Sequence, residues 1–302
     1  MLLARPMKIC DQTKLIRISA IVALAAILTI GCGPRKNSRI LLSEKIPEID
    51  SKREAKILTA FFGLDNGLTQ AARVLYRKAP GMDGMPIVFS HEIDPSTLDA
   101  NDFEIKTQNG TFFAAEAVTL LPANEEFELK TVLLIGEYGN YPENPPISVE
   151  IVGDLITRTG DNLKGNNKAV IPLPEGPILS DAEYFTFTGD YPYVKKGRGC
   201  DCPREETKTI IKTIWSGGVR AASGEELGVN ELQDFIVTLV YGADTIQVTP
   251  FLLADLSDND NNIDLCLRES GVPIFVQVNA NTAIDPRNDK NPRTEMAVRS
   301  RW

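Results

Sequence analysis

Short apolar runs dominate the chain from residue 56 onward, and Gly, Pro, Asn and Asp residues separate them. Apolar and polar positions alternate within several runs, which is typical of strands with one buried face. Many short strands with turn signals at this spacing predict an all-β protein built from β-sandwiches. The predicted strands are 56–62, 85–90, 102–107, 131–136, 147–153, 183–189, 207–218, 234–242, 245–251, 263–267 and 272–278. The segment 67–76 is compatible with one brief helix.

The N-terminal pattern differs from the rest of the chain. Residues 1–17 carry four basic residues and one acidic residue, and an apolar run over 18–30 follows them. This run is shorter than the roughly 20 residues that span a bilayer, and a basic segment before a short apolar run is typical of a secretory signal. A buried helix and a plain cleaved signal remain alternatives.

The run ends in Leu28-Thr29-Ile30-Gly31-Cys32, which resembles the lipobox of bacterial lipoproteins. The resemblance implies that residues 1–31 are a lipoprotein signal peptide and that Cys32 carries lipid, palmitate included, as the first mature residue. Gly33 follows the cysteine, where Gram-negative lipoproteins with a residue other than Asp go to the outer membrane by default. We therefore expect an exported protein that is anchored by lipid to the bacterial cell envelope.

Residues 32–55 are polar and rich in charge, so they cannot bury enough apolar surface to fold alone. We interpret them as a lipidated tether. Residues 56–176 and 177–302 are then expected to form two β-sandwich domains. No 20–50-residue repeat is visible, which argues against a solenoid or a propeller.

Part of the first domain resembles a known class of modules. Residues 85–111 contain a strand that ends in Phe89-Ser90, followed by Ile93-Asp94-Pro95, Thr97-Leu98 and Asp102-Phe103. This order is similar to the opening of bacterial Ig-like domains of cell-surface proteins. The resemblance implies a sandwich that serves as a spacer or a binding module. The second domain resembles no named family.

Charge narrows the range of partners. The 302 residues include 32 Lys+Arg and 41 Asp+Glu, which gives a formal net charge of −9 and a sequence pI of about 4.9. Phosphate binding along a nucleic acid needs a basic surface, so nucleic acid is not an expected partner. A membrane, reached through the lipid, and a protein or polysaccharide of the envelope are the expected partners.

Cysteine usage predicts one disulfide. Cys10 lies in the signal and Cys32 is the lipid site, so the exported body contains Cys200, Cys202 and Cys266. Exported proteins meet oxidising conditions, and an odd number of cysteines leaves one thiol over. We favour a Cys202–Cys266 bridge, with Cys200–Cys266 as the alternative. A bridge between Cys200 and Cys202 would be strained by the one-residue spacer.

A metal site is suggested by one acidic loop. Asp258, Asp260, Asn262 and Asp264 recur at every second position, and carboxylate and amide oxygens are ligands that Ca²⁺ prefers. A solvated turn explains the same composition, because Asp and Asn are common turn residues. Calcium is therefore a possible ligand of this loop, and otherwise no cofactor is expected.

No motif for catalysis is present. His91 is the only histidine, and the sequence lacks the nucleophile-elbow, zinc-protease, P-loop and dinucleotide-binding motifs. We therefore expect a binding or structural protein rather than an enzyme. A surface hydrolase that uses a carboxylate pair and a calcium-stabilised adhesin-like module are the alternatives.

Overall fold

A computed structural model describes residues 53–125, 127–186, 202–254 and 260–301. Strands dominate these ranges, and the only helical segments in them are four short 3-10 helices. The all-β prediction is confirmed. The 3-10 helices are Gln70–Val74, Pro95–Thr97, Ala100–Asp102 and Leu232–Asp234.

Eight strands before residue 172 form one sheet with the order β4-β3-β7-β8-β1-β2-β6-β5. The strands are β1 Ile57–Phe61, β2 Asp83–Phe89, β3 Phe103–Thr107, β4 Phe112–Ala114, β5 Ala117–Thr119, β6 Thr131–Gly136, β7 Pro146–Ile151 and β8 Asn167–Ile171. β8 joins the two halves, since it pairs with β1 in parallel and with β7 antiparallel. Both halves contribute to one buried core, for example Ile87 and Leu134 from one half and Ile105 and Val149 from the other. We call this region the first sandwich.

The segment that resembles bacterial Ig-like domains has a clear physical role in this core. Phe89, Ile93 and Phe103 are buried, so their side chains fix both ends of the segment. Between them the Asp94 carboxylate accepts a hydrogen bond from the backbone N–H of Ser96 at 2.9 Å, which caps the 3-10 turn. The Thr97 hydroxyl donates to the carbonyl of Asp94 at 2.9 Å.

Nine strands after residue 178 form two sheets, one of five strands in the order β13-β14-β10-β9-β17 and one of four in the order β12-β11-β15-β16. The strands are β9 Leu179–Thr186, β10 Thr209–Trp215, β11 Phe235–Tyr241, β12 Asp244–Val248, β13 Leu252–Ala254, β14 Asn262–Leu267, β15 Val272–Val278, β16 Thr294–Ala297 and β17 Arg299–Ser300. Ile211 and Leu265 of the larger sheet share a core with Val237 and Val276 of the smaller one. We call this region the second sandwich.

The five-stranded sheet is buried on both faces. Every residue of β10 and of β14 is buried, although only alternate residues face the core of the second sandwich. The first sandwich covers the other face, where Asn261 donates to the Thr131 hydroxyl at 3.0 Å and Lys212 reaches Glu128. The two sandwiches therefore belong to one compact unit. The expected boundary at 176/177 falls between β8 and β9.

Cys202 is bonded to Cys266 with a Cα–Cα distance of 5.7 Å, which is the pairing that the sequence favoured. The expected signal peptide, Cys32, the tether up to residue 52 and Cys200 lie outside the described residues. Within the described ranges, no helix has the length and apolar character needed to cross a membrane.

Candidate functional site

A row of alternating charges crosses the covered face of the five-stranded sheet. Strand register places Asp264 opposite Lys212, Lys212 opposite Glu183, and Glu183 beside Arg299. These residues belong to β14, β10, β9 and β17, in that order across the sheet. Directly opposed unlike charges stabilise a sheet, so the register itself favours this order.

Two buried lysines form ion pairs between this face and the first sandwich. The Lys212 ammonium lies 3.2 Å from the Asp264 carboxylate and 2.9 Å from the Glu128 carboxylate of the first sandwich. The Lys130 ammonium of the first sandwich lies 2.6 Å from Glu183. Both lysines are almost fully buried, and burial of a charge is tolerated only when it is paired. The contacts between the sandwiches are therefore ionic at these two points.

Asp181, the neighbour of Glu183 on the same face of β9, collects three cations. Its carboxylate lies 3.3 Å from Lys130 and 3.3 Å from Arg53, and it contacts Arg299. Burial raises the pKa of Asp181 above its ordinary value, although Lys130 and Arg53 act against this. Burial would also raise the pKa of Glu183, but the charges of Lys130 and Arg301 outweigh it and lower that pKa.

A cavity of about 320 Å³ opens beside these pairs. We call it the charged pocket, because none of its lining residues is apolar. Its basic side chains are Arg53, Lys130, Arg158, Arg299 and Arg301, and its acidic side chains are Glu92 and Glu183. The other lining residues are Ser90, His91, Thr159 and Ser300. Both sandwiches contribute to this lining.

The charged pocket is cationic in an acidic protein. Five basic side chains face Glu92, Glu183, the underlying Asp181, and Asp161, which accepts a hydrogen bond from Thr159 of the lining, and this leaves a formal charge of 5 − 4 = +1. The pKa of His91 is lowered, first by burial and then by the charges of Arg53 and Lys130.

Ser90 and His91 do not have the arrangement of a catalytic nucleophile and base. The Ser90 hydroxyl oxygen lies 2.9 Å from His91 Nδ1, but it also accepts from the Lys56 N–H at 2.8 Å and lies 3.2 Å from the Glu54 carbonyl. Ser90 is buried, and its hydroxyl donates to the Glu54 carbonyl, so its oxygen links the ends of two strands. His91 Nε2 has no hydrogen-bond partner among the described residues.

A second cavity, of about 420 Å³, also has walls from both sandwiches. We call it the apolar pocket. The first sandwich contributes Leu64, Leu68, Leu75, Leu121 and Leu133, among other apolar residues, and the second contributes Gly217, Gly218, Asp260, Asn261 and Pro286. Thr131 and Asn261 supply polar groups at this wall. Nothing in the structure indicates what fills the cavity.

The residues expected to hold calcium separate into different environments. Asp258 lies outside the described residues. The Asp264 carboxylate pairs with Lys212, and the Asp260 carboxylate accepts from the Asn262 backbone and side-chain N–H groups at 2.6 and 2.8 Å. Among the described residues, no group of three or more His, Cys, Asp or Glu side chains has a metal-binding arrangement.

Sequence reasoning missed the charged pocket, although a signal was present. Asp181 and Glu183 are spaced by two, as are Arg299 and Arg301, and Lys212 interrupts the apolar run of β10. Charges at alternate positions of a strand share one face. Such a pattern indicates a charged face but does not identify the strands that meet there.

No protein-family model matches the chain, and a search of curated proteins finds no match. The resemblance to bacterial Ig-like domains and to lipoproteins therefore remains an expectation from the residues quoted above.

Proposed function

We propose that the protein is an exported, lipid-anchored component of the bacterial cell envelope that binds an anionic ligand in the charged pocket. The observation that carries the binding role is the excess of cations around a cavity of about 320 Å³ in a chain of net charge −9. The basic segment, apolar run and Gly31-Cys32 at the N-terminus support export and anchoring.

Three of the basic side chains are ion-paired but exposed enough to contact a ligand. Arg158 is half exposed and lies 3.5 Å from Glu92, so an incoming anion can compete for it. Arg53 and Arg299 are 22 % and 30 % exposed and border the cavity. A guanidinium presents paired N–H donors that match carboxylate, sulfate and phosphate oxygens.

The acidic side chains favour binding over hydrolysis. A hydrolase with a carboxylate pair needs one carboxyl group with a raised pKa that acts as an acid. Glu92 and Glu183 both line the charged pocket, and both are ion-paired with Arg301, at 2.7 and 3.1 Å. The pKa of Glu183 is lowered, and the raised pKa belongs to Asp181, which does not line the cavity.

The single histidine provides a test of ligand binding. The imidazole resonances of the full chain in detergent micelles can be titrated with sulfate by NMR, since only His91 contributes to them. We expect saturable shifts and a rise in the pKa of His91, because a bound anion offsets Arg53 and Lys130.

Arg158→Ala should weaken sulfate binding about tenfold, by removal of a charge-assisted contact. Arg268→Ala is the matched control, since Arg268 is equally exposed and paired with a glutamate, Glu206, but does not line the pocket. Resonances that stay unchanged at saturating sulfate, or an equal effect of both variants, would count against the proposal.

Anchoring has a separate test. Cys32→Ala should prevent lipidation and either release the protein from the membrane fraction or leave the precursor uncleaved. Cys10→Ala, within the same expected signal peptide, is the control and should behave as the wild type. If Cys32→Ala fractionates with the membrane at the wild-type mature mass, Cys32 is not the anchor.

A further inference from the structure

The size of the charged pocket indicates the size of its ligand. The cavity of about 320 Å³ has room for several water molecules. Small-molecule sites in proteins begin at about this size. A bare carboxylate or sulfate would fill only a part of it, so the ligand carries more atoms than its anionic group.

The lining indicates the chemistry of those additional atoms. All eleven lining residues are polar or charged, so a ligand meets hydrogen-bonding side chains throughout the cavity, and only their aliphatic stems provide apolar surface. Glu92 and Glu183 bring carboxylate oxygens to the cavity, and these accept hydrogen bonds but repel a second anionic group. His91 Nε2 has no partner among the described residues and therefore has hydrogen-bonding capacity to offer.

Hydroxyl groups can hydrogen-bond to both the acidic and the basic side chains of the lining. A hydroxyl donates to a carboxylate and accepts from a guanidinium, so a polyhydroxylated body can use both kinds of lining side chain. The Thr159 hydroxyl, which already donates to Asp161 at 2.8 Å, retains acceptor capacity at the exposed rim. One anionic group is then sufficient for the local excess of positive charge.

We infer that the charged pocket binds a monosaccharide unit that carries one anionic group, a carboxylate or a phosphate. This inference rests on the proposed anion-binding function and specifies its ligand. Arg158 and Arg299, which are partly exposed, hold the anionic group, and Glu92 and His91 bond to the sugar hydroxyls. Sugars of this class can reach the site either free or as units of an envelope polysaccharide.

The test compares four ligands that differ in whether they carry a sugar ring, a carboxylate or a phosphate. The full chain in micelles is titrated with glucuronate, glucose 6-phosphate, glucose and acetate, and the His91 resonances and the heat of binding are recorded. We expect glucuronate or glucose 6-phosphate to bind at least tenfold more tightly than acetate, and glucose to bind at least a hundredfold more weakly than the better of the two. The stronger acid identifies the anionic group as a carboxylate or a phosphate.

Glu92→Gln provides a second measurement that separates sugar recognition from charge. Loss of this carboxylate makes the pocket more positive, so acetate should bind more tightly. The glutamine carbonyl oxygen is a weaker acceptor for a sugar hydroxyl than the charged carboxylate, so the advantage of a sugar acid over acetate should fall to less than threefold. Asp154→Asn is the control, because Asp154 pairs with the exposed Lys164 outside the pocket. Melting curves establish that both variants are folded.

The outcomes distinguish the two proposals. Equal affinities for glucuronate, glucose 6-phosphate and acetate would overturn the saccharide inference and leave the anion site standing. Tight binding of glucose itself would overturn the role of the anionic group. Absence of any response to glucuronate, glucose 6-phosphate, acetate and sulfate would overturn both proposals. An unchanged preference in Glu92→Gln would show that this carboxylate does not recognise the sugar.

Discussion

The charged pocket and the apolar pocket have walls from the same two sandwiches but are built in opposite ways. The charged pocket is lined largely by residues on or beside paired strands, whose neighbours are fixed by register. The apolar pocket is lined in part by the 3-10 helix Gln70–Val74 and the loops around it, and Val74 there is 83 % exposed. Charges are buried where strands force them together, and apolar side chains stay exposed where only a short helical turn covers the sheet.

Asp83 near the apolar pocket and Glu183 at the charged pocket respond to pH with opposite sign. Near the apolar pocket, buried Asp83 accepts from the N–H groups of Asn66 and Tyr138, and burial raises its pKa to about 6. A carboxyl group whose pKa is raised in the folded state stabilises the protein at low pH. This contribution is lost as pH rises through the raised pKa. At the charged pocket the pKa of Glu183 is lowered, so its contribution is lost as pH falls.

The largest effect is expected from Lys130, whose side chain is 3 % exposed between Asp181 and Glu183. Lys130→Met leaves these buried carboxylates without that cation, which should lower the free energy of unfolding by about 3–5 kcal/mol at pH 7. Urea denaturation measures this. Lys164→Met, an exposed lysine paired with Asp154 at 3.7 Å, should cost less than about 1 kcal/mol. If Lys130→Met and Lys164→Met lower the free energy of unfolding equally, the ion pairs of Lys130 do not stabilise the contact between the two sandwiches.

The disulfide lies at the five-stranded sheet that carries the charged row, where Cys202 and Cys266 pack with Phe185 and Ile210. The double change Cys202→Ser and Cys266→Ser should lower the free energy of unfolding by about 2–4 kcal/mol, because a 64-residue loop is no longer closed in the unfolded chain. Denaturation with and without reductant gives this difference. Cys200→Ser should have no such effect, and alkylation of the unreduced protein should label Cys200 and neither Cys202 nor Cys266. Labelling of all three cysteines would show that the bridge does not form.

The pH dependence of stability near the apolar pocket can be tested at Asp83. Between about pH 4 and pH 6 the wild type should lose on the order of 2 kcal/mol of stability through this residue, since a tenfold change in proton binding corresponds to about 1.4 kcal/mol. Asp83→Asn should abolish this part of the pH dependence, whatever its effect on absolute stability. The exposed Asp94, changed to Asn, should retain it. Denaturation curves recorded at several pH values decide the matter.

The smallest effect is expected at the rim of the apolar pocket. Val74→Ser should change the free energy of unfolding by less than about 0.5 kcal/mol, because the side chain is already in water. Its sulfate affinity should equal that of the wild type, since Val74 does not line the charged pocket. Thermal melts at two protein concentrations check this. A concentration-dependent loss of stability would instead mean that a second molecule covers Val74.

Much of the fold could be predicted because strand formation is local. The run 131–136 coincides with β6, 272–278 with β15, and 263–267 falls within β14. Six strands lie outside the predicted ranges: β4, β5, β8, β13, β16 and β17. Five of them have only two to four residues, which leaves too little alternation to recognise, and β8 begins with the polar residues Asn167 and Lys168. The possible helix at 67–76 contains the 3-10 helix Gln70–Val74.

The candidate site depended on information that the chain pattern does not contain. Lys212 stands in an apolar run, but nothing near it in sequence identifies Asp264 and Glu128 as its partners. The spacing of Asp264 to Asp258 and Asp260 predicts either a calcium ligand or a residue of a solvated turn. Pairing of β10 with β14 brings Lys212 to this carboxylate, and the ammonium group neutralises its charge.

The sequence alone determined the all-β class and most of the strands, and it favoured the Cys202–Cys266 pairing, because apolar alternation, turn residues and cysteine count are local or countable properties. Tertiary structure alone decided that the sandwiches share a buried, charged face and that Arg53, Lys130 and Arg299 converge on Asp181. The physical reason is strand register. A shift of one residue in pairing turns every side chain to the opposite face, so the partners of a buried charge exist only once the sheets are assembled.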